Sequence, residues 1–160
     1  MTSFQFVLVS AAVVLVTISV ASTRPARRPS RLRPRTVAVA ARHWSVVVIR
    51  VIDGDTFVVA GGQRIRVLGI DAAERETFAG VAATRDAERL LRGQRVILTA
   101  EPGADHDAYG RALRYVQLPD GRDFGEVMVA ARHTTVYAGR HHASLSYVDR
   151  LRALDQGGSR

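Results

Sequence analysis

The sequence predicts a mainly β member of the α+β class: a five-stranded OB-type barrel with about three helices, preceded by an N-terminal hydrophobic segment. Three observations carry this reading. Short β-branched runs separated by turn residues follow one another between residues 45 and 116. An amphipathic helical stretch interrupts them after the third run, and further helix-forming stretches close the chain. That order of elements is the order of an OB-type barrel.

Ser45 to Ile52 is rich in valine and isoleucine and reads as a strand, which Asp53-Gly54 turns into a second, Thr56 to Ala60. Gly61-Gly62 makes the hairpin turn into a third strand, Arg64 to Ile70, whose end sets Asp71 beside the start of the second. On that strand Arg66 shares a face with residues 64, 68 and 70 and is expected at the rim or in solvent. Val81 to Arg92 alternates apolar and charged residues at helical spacing and stops at Gly93. Arg95 to Thr99 reads as a fourth strand and Arg111 to Val116 as a fifth, followed by the turn Pro119-Asp120-Gly121. Asp123 is the N-cap of a second helix, Gly125 to Ala131. Ser146 to Leu154 reads as a short third helix with Tyr147, Leu151 and Leu154 on one side.

Domain organisation follows from composition. Residues 1–23 carry no charged side chain and hold an apolar run from Phe4 to Ala21, which fits a signal peptide or a membrane anchor. Ser19-Val20-Ala21 offers small residues at a cleavage point. The arginines follow the apolar run rather than precede it, and that charge distribution alone would place the domain in the cytoplasm. Residues 24–42 form an Arg- and Pro-rich linker with no acid, and residues 43–156 form the folded domain, with 157–160 as a tail. The expected address is secreted or membrane-anchored through residues 4–21, on the extracytoplasmic side.

The net charge is +8, and all 23 of the strongly basic residues are arginine, with no lysine. Uniform arginine use reflects a GC-rich genome, and much of the excess sits in the linker, so charge alone says little about nucleic acid. The absence of cysteine removes disulfides, thiolate metal sites and cysteine nucleophiles together.

Chemistry concentrates in three short stretches. Ile52-Asp53-Gly54-Asp55-Thr56 and Arg66…Ile70-Asp71-Ala72-Ala73-Glu74 supply carboxylates and one arginine, and Asp107-Ala108-Tyr109-Gly110-Arg111 adds a second arginine. Asp55 and Asp71, at adjacent strand ends, suit a hard divalent cation such as Ca²⁺ or Mg²⁺. Asp53 is expected to face backbone amides of the Gly54 turn, a structural role. Glu74 shares the cavity, where a carboxylate would activate or orient water. Planar guanidinium groups answer the charge that builds on a phosphodiester under attack. Singly, each of these residues is most simply a turn acid or a surface cation; as a set they are not. The histidines His106, His133, His141 and His142 lack acids or cysteines at ligand spacing and read as loop residues.

In order and spacing these motifs resemble the staphylococcal (thermo)nuclease family, over roughly Val46 to Leu154. The resemblance implies a Ca²⁺-dependent endonuclease that cuts DNA and RNA at the 5′ P–O bond and leaves 3′-phosphates. By that resemblance Asp55, Asp71 and the backbone carbonyl of Ala72 bind the metal. Glu74 is the general base, and Arg66 and Arg111 hold the phosphate as catalytic residues. Tyr109 and Tyr137 are assigned to substrate binding, Tyr137 standing one residue out of register. The family's Asp-Thr-Pro-Glu is Asp71-Ala72-Ala73-Glu74 here, and loss of the proline is expected to leave Glu74 less firmly aimed. The final helix is expected to be short. Nucleic acid is the expected partner, with no obligate protein partner and a monomeric state. The alternative is a catalytically weak or inactive OB-fold nucleic-acid-binding module tethered to a membrane.

Overall fold

The structure, a computed structural model, describes residues 42–139 and 143–157. The hydrophobic segment, all of the linker but Arg42, and the His141-His142 pair lie outside the described residues. Among the described residues no helix is long and apolar enough to cross a membrane.

β1 (His43–Val51), β2 (Thr56–Val59) and β3 (Arg64–Val67) form an antiparallel meander. Register shifts between Val48 and Arg50, and such an irregularity bends a strand. β1 therefore pairs with β2 over its second half and with β5 (Arg95–Ala100) over its first. β5 pairs antiparallel with β6 (Ala112–Gln117), and β6 runs parallel to β3, with Ile65 opposite Ala112. The order β1-β2-β3-β6-β5 is thus a closed barrel, as expected, and closure removes the sheet edges. Phe57, Ile65, Val67, Val96 and Val116 are buried in its core.

The third strand departs from expectation. It ends at Val67, because Gly69 takes a φ of +81° and lies so close to Tyr147 that a Cβ there would stand 2.7 Å from the ring. The chain leaves the barrel and enters β4 (Ile70–Ala72), which pairs with β7 (Thr134–Val136) in a separate two-stranded sheet. Leu68 and Ile70 are buried and do not share a strand face with Arg66.

α1 (Phe78–Leu91) begins earlier than its apolar pattern indicates, since Thr77 caps it by accepting from Gly80 N at 3.0 Å. Ala83, Thr84, Ala87 and Leu91 form its buried face. α2 (Phe124–Ala130) has the expected cap, Asp123, which accepts from Glu126 N at 2.9 Å and from the Tyr147 hydroxyl at 2.5 Å. α3 (Leu145–Gly157) is longer than expected. It buries Tyr147, Val148 and Leu151, whereas Leu154 is 40% exposed. Ile70, Phe124, Met128 and Leu151 join the barrel residues in one continuous core, so the β4–β7 sheet and the helices are fixed to the barrel mouth.

Candidate functional site

The site starts at the turn between β1 and β2. Ile52 N and Asp53 N both donate to Thr56 O, and the Asp53 carboxylate accepts from Asp55 N at 3.1 Å, the structural role its sequence predicts. The turn drives Asp55 inward. Its Oδ2 accepts from Ala72 N at 2.7 Å, and its Oδ1 accepts from the Thr56 hydroxyl at 2.9 Å and lies 3.2 Å from Arg66 Nε. Burial pushes the Asp55 carboxyl up to about 6, outweighing the Arg66 charge and the Ala72 hydrogen bond.

Arg66 is not a rim residue. Its side chain is 12% exposed and bridges Asp55 to Asp71, with Nη2 2.7 Å from Asp71 Oδ1. Nη1 donates to Val67 O at 2.8 Å and to Ile70 O at 2.6 Å. The turn at Gly69 creates this arrangement by folding the Ile70 carbonyl and Asp71 back over the end of β3.

Arg111, just before β6, is held by a clamp. Asp107 Oδ1 accepts from Tyr109 N and Arg111 N, both at 2.9 Å, and Oδ2 accepts from Arg111 Nε at 2.6 Å. Burial would raise the Asp107 carboxyl, but the Arg111 and Tyr109 hydrogen bonds prevail and hold it below the usual carboxylate range. Arg111 Nη1 donates to Thr56 Oγ1 at 3.2 Å. Thr56 thereby links the two sides of the site, touching Asp55 with its proton and Arg111 with a lone pair.

Glu74 is exposed, and its backbone is fixed by α1. Its carbonyl accepts from Thr77 N at 2.9 Å and from Thr77 Oγ1 at 2.7 Å. The Glu74 carbonyl, though not its carboxylate, is thus held by the α1 cap residue.

Asp53, Asp55, Arg66, Asp71, Ala72, Glu74 and Arg111 line one open cleft of about 410 Å³. A neighbouring cavity of about 320 Å³ shares Arg66, Asp71 and Arg111 with it and adds Tyr109 and Tyr137. The Arg111 guanidinium lies 5.4 Å from the Tyr109 ring centroid, and that of Arg66 lies 6.0 Å from the Tyr137 centroid. Every site residue picked out in the sequence therefore faces one of two adjoining hollows. The donor set of Asp55, Asp71 and the Ala72 carbonyl is all oxygen and fits a hard cation that keeps positions for water or phosphate. Among the described residues no group of three or more His, Asp or Glu side chains is placed to hold a metal ion by itself. His106 and His133 pair with Asp105 at 3.0 Å and Asp86 at 3.3 Å.

Thr56 and Asp107 lie inside the sequence motifs, yet nothing in the sequence marks either as a link to an arginine. Thr135 carries no sequence signal at all, and its hydroxyl donates to the Asp71 carbonyl at 3.3 Å across the β4–β7 pair.

Residues 64–157 match the family model described as staphylococcal nuclease homologue. The chain belongs to this family. It is 38% identical over 93 residues to an uncharacterized endonuclease of Escherichia coli, covering 56% of this chain and 59% of the relative. It is 37% identical over 91 residues to the thermonuclease of Staphylococcus intermedius, covering 49% of this chain and 52% of the relative. The chain thus spans little more than half the length of these relatives. The family match begins after Asp55, yet the bond from Ala72 N to Asp55 Oδ2 carries that aspartate into the matched region's cleft.

Proposed function

We propose that the domain hydrolyses the phosphodiester bonds of DNA and RNA as a metal-dependent endonuclease. The convergence of Asp55, Asp71, Glu74, Arg66 and Arg111 on one open cleft carries this reading. The names of the relatives, a thermonuclease and an uncharacterized endonuclease, support the reaction class.

Asp55, Asp71 and the Ala72 carbonyl would hold Ca²⁺, or Mg²⁺ in its place. When bound, the ion supplies positive charge to the phosphate and to a water. Arg111 offers Nη2, which makes no hydrogen bond or ion pair among the described residues, to a non-bridging phosphate oxygen. Arg66 already serves two acids and two carbonyls, so it adds to the positive field and reaches phosphate only by loosening its hold on Asp71. The exposed Glu74 carboxylate takes a proton from the attacking water. The new bond forms between that oxygen and phosphorus, the bond to the 5′ oxygen breaks, and the 5′ oxygen takes up a proton from solvent. A 3′-phosphate remains. The two arginines stabilise the charge gathered on the phosphoryl oxygens. Tyr109 and Tyr137 offer ring faces to a neighbouring base.

A binding module of the same fold would gain nothing from the acids, which repel phosphate. The deciding experiment digests plasmid DNA and RNA with the full chain in Ca²⁺, in Mg²⁺ and in chelator, beside Glu74→Gln and Arg111→Ala. Metal-dependent cleavage of both substrates that collapses in both variants is expected. Binding without cleavage under every metal would replace the enzyme by the binding module.

A further inference from the structure

Behind the cleft lies a second groove of about 350 Å³, and the segment Asp71 to Glu74 is the ridge between the two. Asp71, Ala73, Glu74, Arg132, His133 and Thr135 are among the residues lining the groove. Arg132 is its unusual member. α2 ends at Ala130 with Ala131 as its cap, and Arg132 follows with a φ of +62° while its N–H donates to Val129 O at 3.0 Å. Among the described residues it is the only one other than glycine with a positive φ. Glycine normally takes this position after a helix, because a Cβ crowds the backbone there. Backbone strain of this kind gathers at functional sites.

The side chain gives no structural return for that strain. Arg132 is exposed, and its guanidinium makes no hydrogen bond or ion pair among the described residues. The next residue anchors the turn instead: His133 Nε2 lies 3.3 Å from Asp86 Oδ2, and Asp86 also binds Arg89. Of the acids on the ridge, Asp71 is already paired with Arg66. Among the described residues, a cation without an ion-pair partner therefore stands on the far side of the ridge from Arg66 and Arg111.

We propose that Arg132 is a substrate-positioning residue that takes a second backbone phosphate of a polynucleotide, one flanking the phosphate at Arg111. The inference rests on the nuclease reading and specifies its substrate class: a strand of several nucleotides that crosses the ridge, rather than an isolated dinucleotide. The competing account is that Arg132 merely complements the carboxyl end of α2.

Arg132→Gly separates the two, because it relieves the backbone while removing the cation. The tests are thermal unfolding, steady-state cleavage of a 20-nucleotide single strand and of a dinucleotide, and the salt dependence of 20-mer binding by fluorescence anisotropy. Arg132→Lys is run beside it. The expected result is a raised Tm, a KM for the 20-mer raised about tenfold with kcat changed less, and a loss that shrinks on the dinucleotide. The salt slope should fall by about one contact, and Arg132→Lys should restore most of the binding. A lowered Tm with unchanged KM and slope would make Arg132 a helix cap and overturn the proposal. So would an equal loss on both substrates. If the wild type binds but never cuts, the enzyme reading fails, and the salt slope alone still decides for or against the subsite.

Discussion

Asp55 and Arg66 stand 3.2 Å apart at the barrel mouth, yet the Asp55 carboxyl is pushed up to about 6 because burial costs it more than the arginine returns. The unfolded chain would hold this proton only to the ordinary value near 3.9. Between those two pH values the folded state keeps a proton that the unfolded state has lost, so this group's contribution to stability falls as pH rises through the window. Above it the ionised carboxylate costs roughly 3 kcal/mol, a strain that a bound cation would relieve. In chelator, Asp55→Asn should be more stable than the wild type at pH 7.5 and lose that advantage by pH 4; with metal supplied, the variant should fail to cleave. Urea unfolding at several pH values measures this. A wild type that gains stability on Asp55→Asn as pH rises would contradict it.

Asp107 and Thr56 fix the orientation of Arg111. Arg111→Ala should lower kcat by about 10²- to 10³-fold, the cost of a lost donor to a developing oxyanion. Asp107→Asn leaves the arginine in place and unaimed, so a smaller loss, on the order of tenfold, is expected. Because the Asp107 carboxyl is held below its usual range, its support for the loop is present above about pH 4 and is lost as pH falls through the lower folded value. Asp107→Asn should therefore be less stable than the wild type at neutral pH, the gap closing in acid. A variant with wild-type kcat would show that Thr56 alone suffices.

Tyr109 is 79% exposed and Tyr137 37%, both against an arginine on the cavity beside the cleft. Replacing Tyr109 by Ala should weaken binding of a single strand by about 1 to 3 kcal/mol, read as a higher KM. Tyr109→Phe, which retains the ring face and loses only the hydroxyl, should keep it. Equal losses in both variants would point to the hydroxyl.

The barrel was legible because its strands are local runs of β-branched residues whose turns announce themselves, and Asp123 marked a helix start by its chemistry alone. What escaped was set by tertiary contact. β4 and β7 are three residues each and have no propensity signal until they meet. The break after Val67 depends on Gly69 passing beneath Tyr147, a residue far along the chain. That break decides the site, since it turns Arg66 from an outward strand residue into the bridge between two acids. The motifs name the acids and arginines that line the cleft. They do not show that Arg66 is tied down while Arg111 keeps an edge unpaired among the described residues, or that Thr56 joins the two halves.

The aim of Glu74 depends on a glycine that no motif includes. A Cβ on Gly80, in the first turn of α1, would stand 2.0 Å from the Glu74 carbonyl oxygen and 2.6 Å from that of Ala73. These neighbours are backbone, so they cannot swing aside as a side chain would. Helix propensity alone predicts that Gly80→Ala stabilises the protein by about 1 kcal/mol. The contact predicts the opposite sign: a loss of about 1 to 3 kcal/mol as α1 and the Ala73-Glu74 backbone are forced apart. Glu74 would move with its carbonyl, so kcat should fall at least tenfold even in protein that remains folded. Thr77→Ala removes the cap from the same turn without a clash. It should cost about 1 kcal/mol and less activity, because Thr77 N still holds the Glu74 carbonyl. Unfolding and single-turnover cleavage on the two variants make the comparison. If Gly80→Ala is stabilised and fully active, α1 can retreat from the cleft and the position of Glu74 does not depend on it.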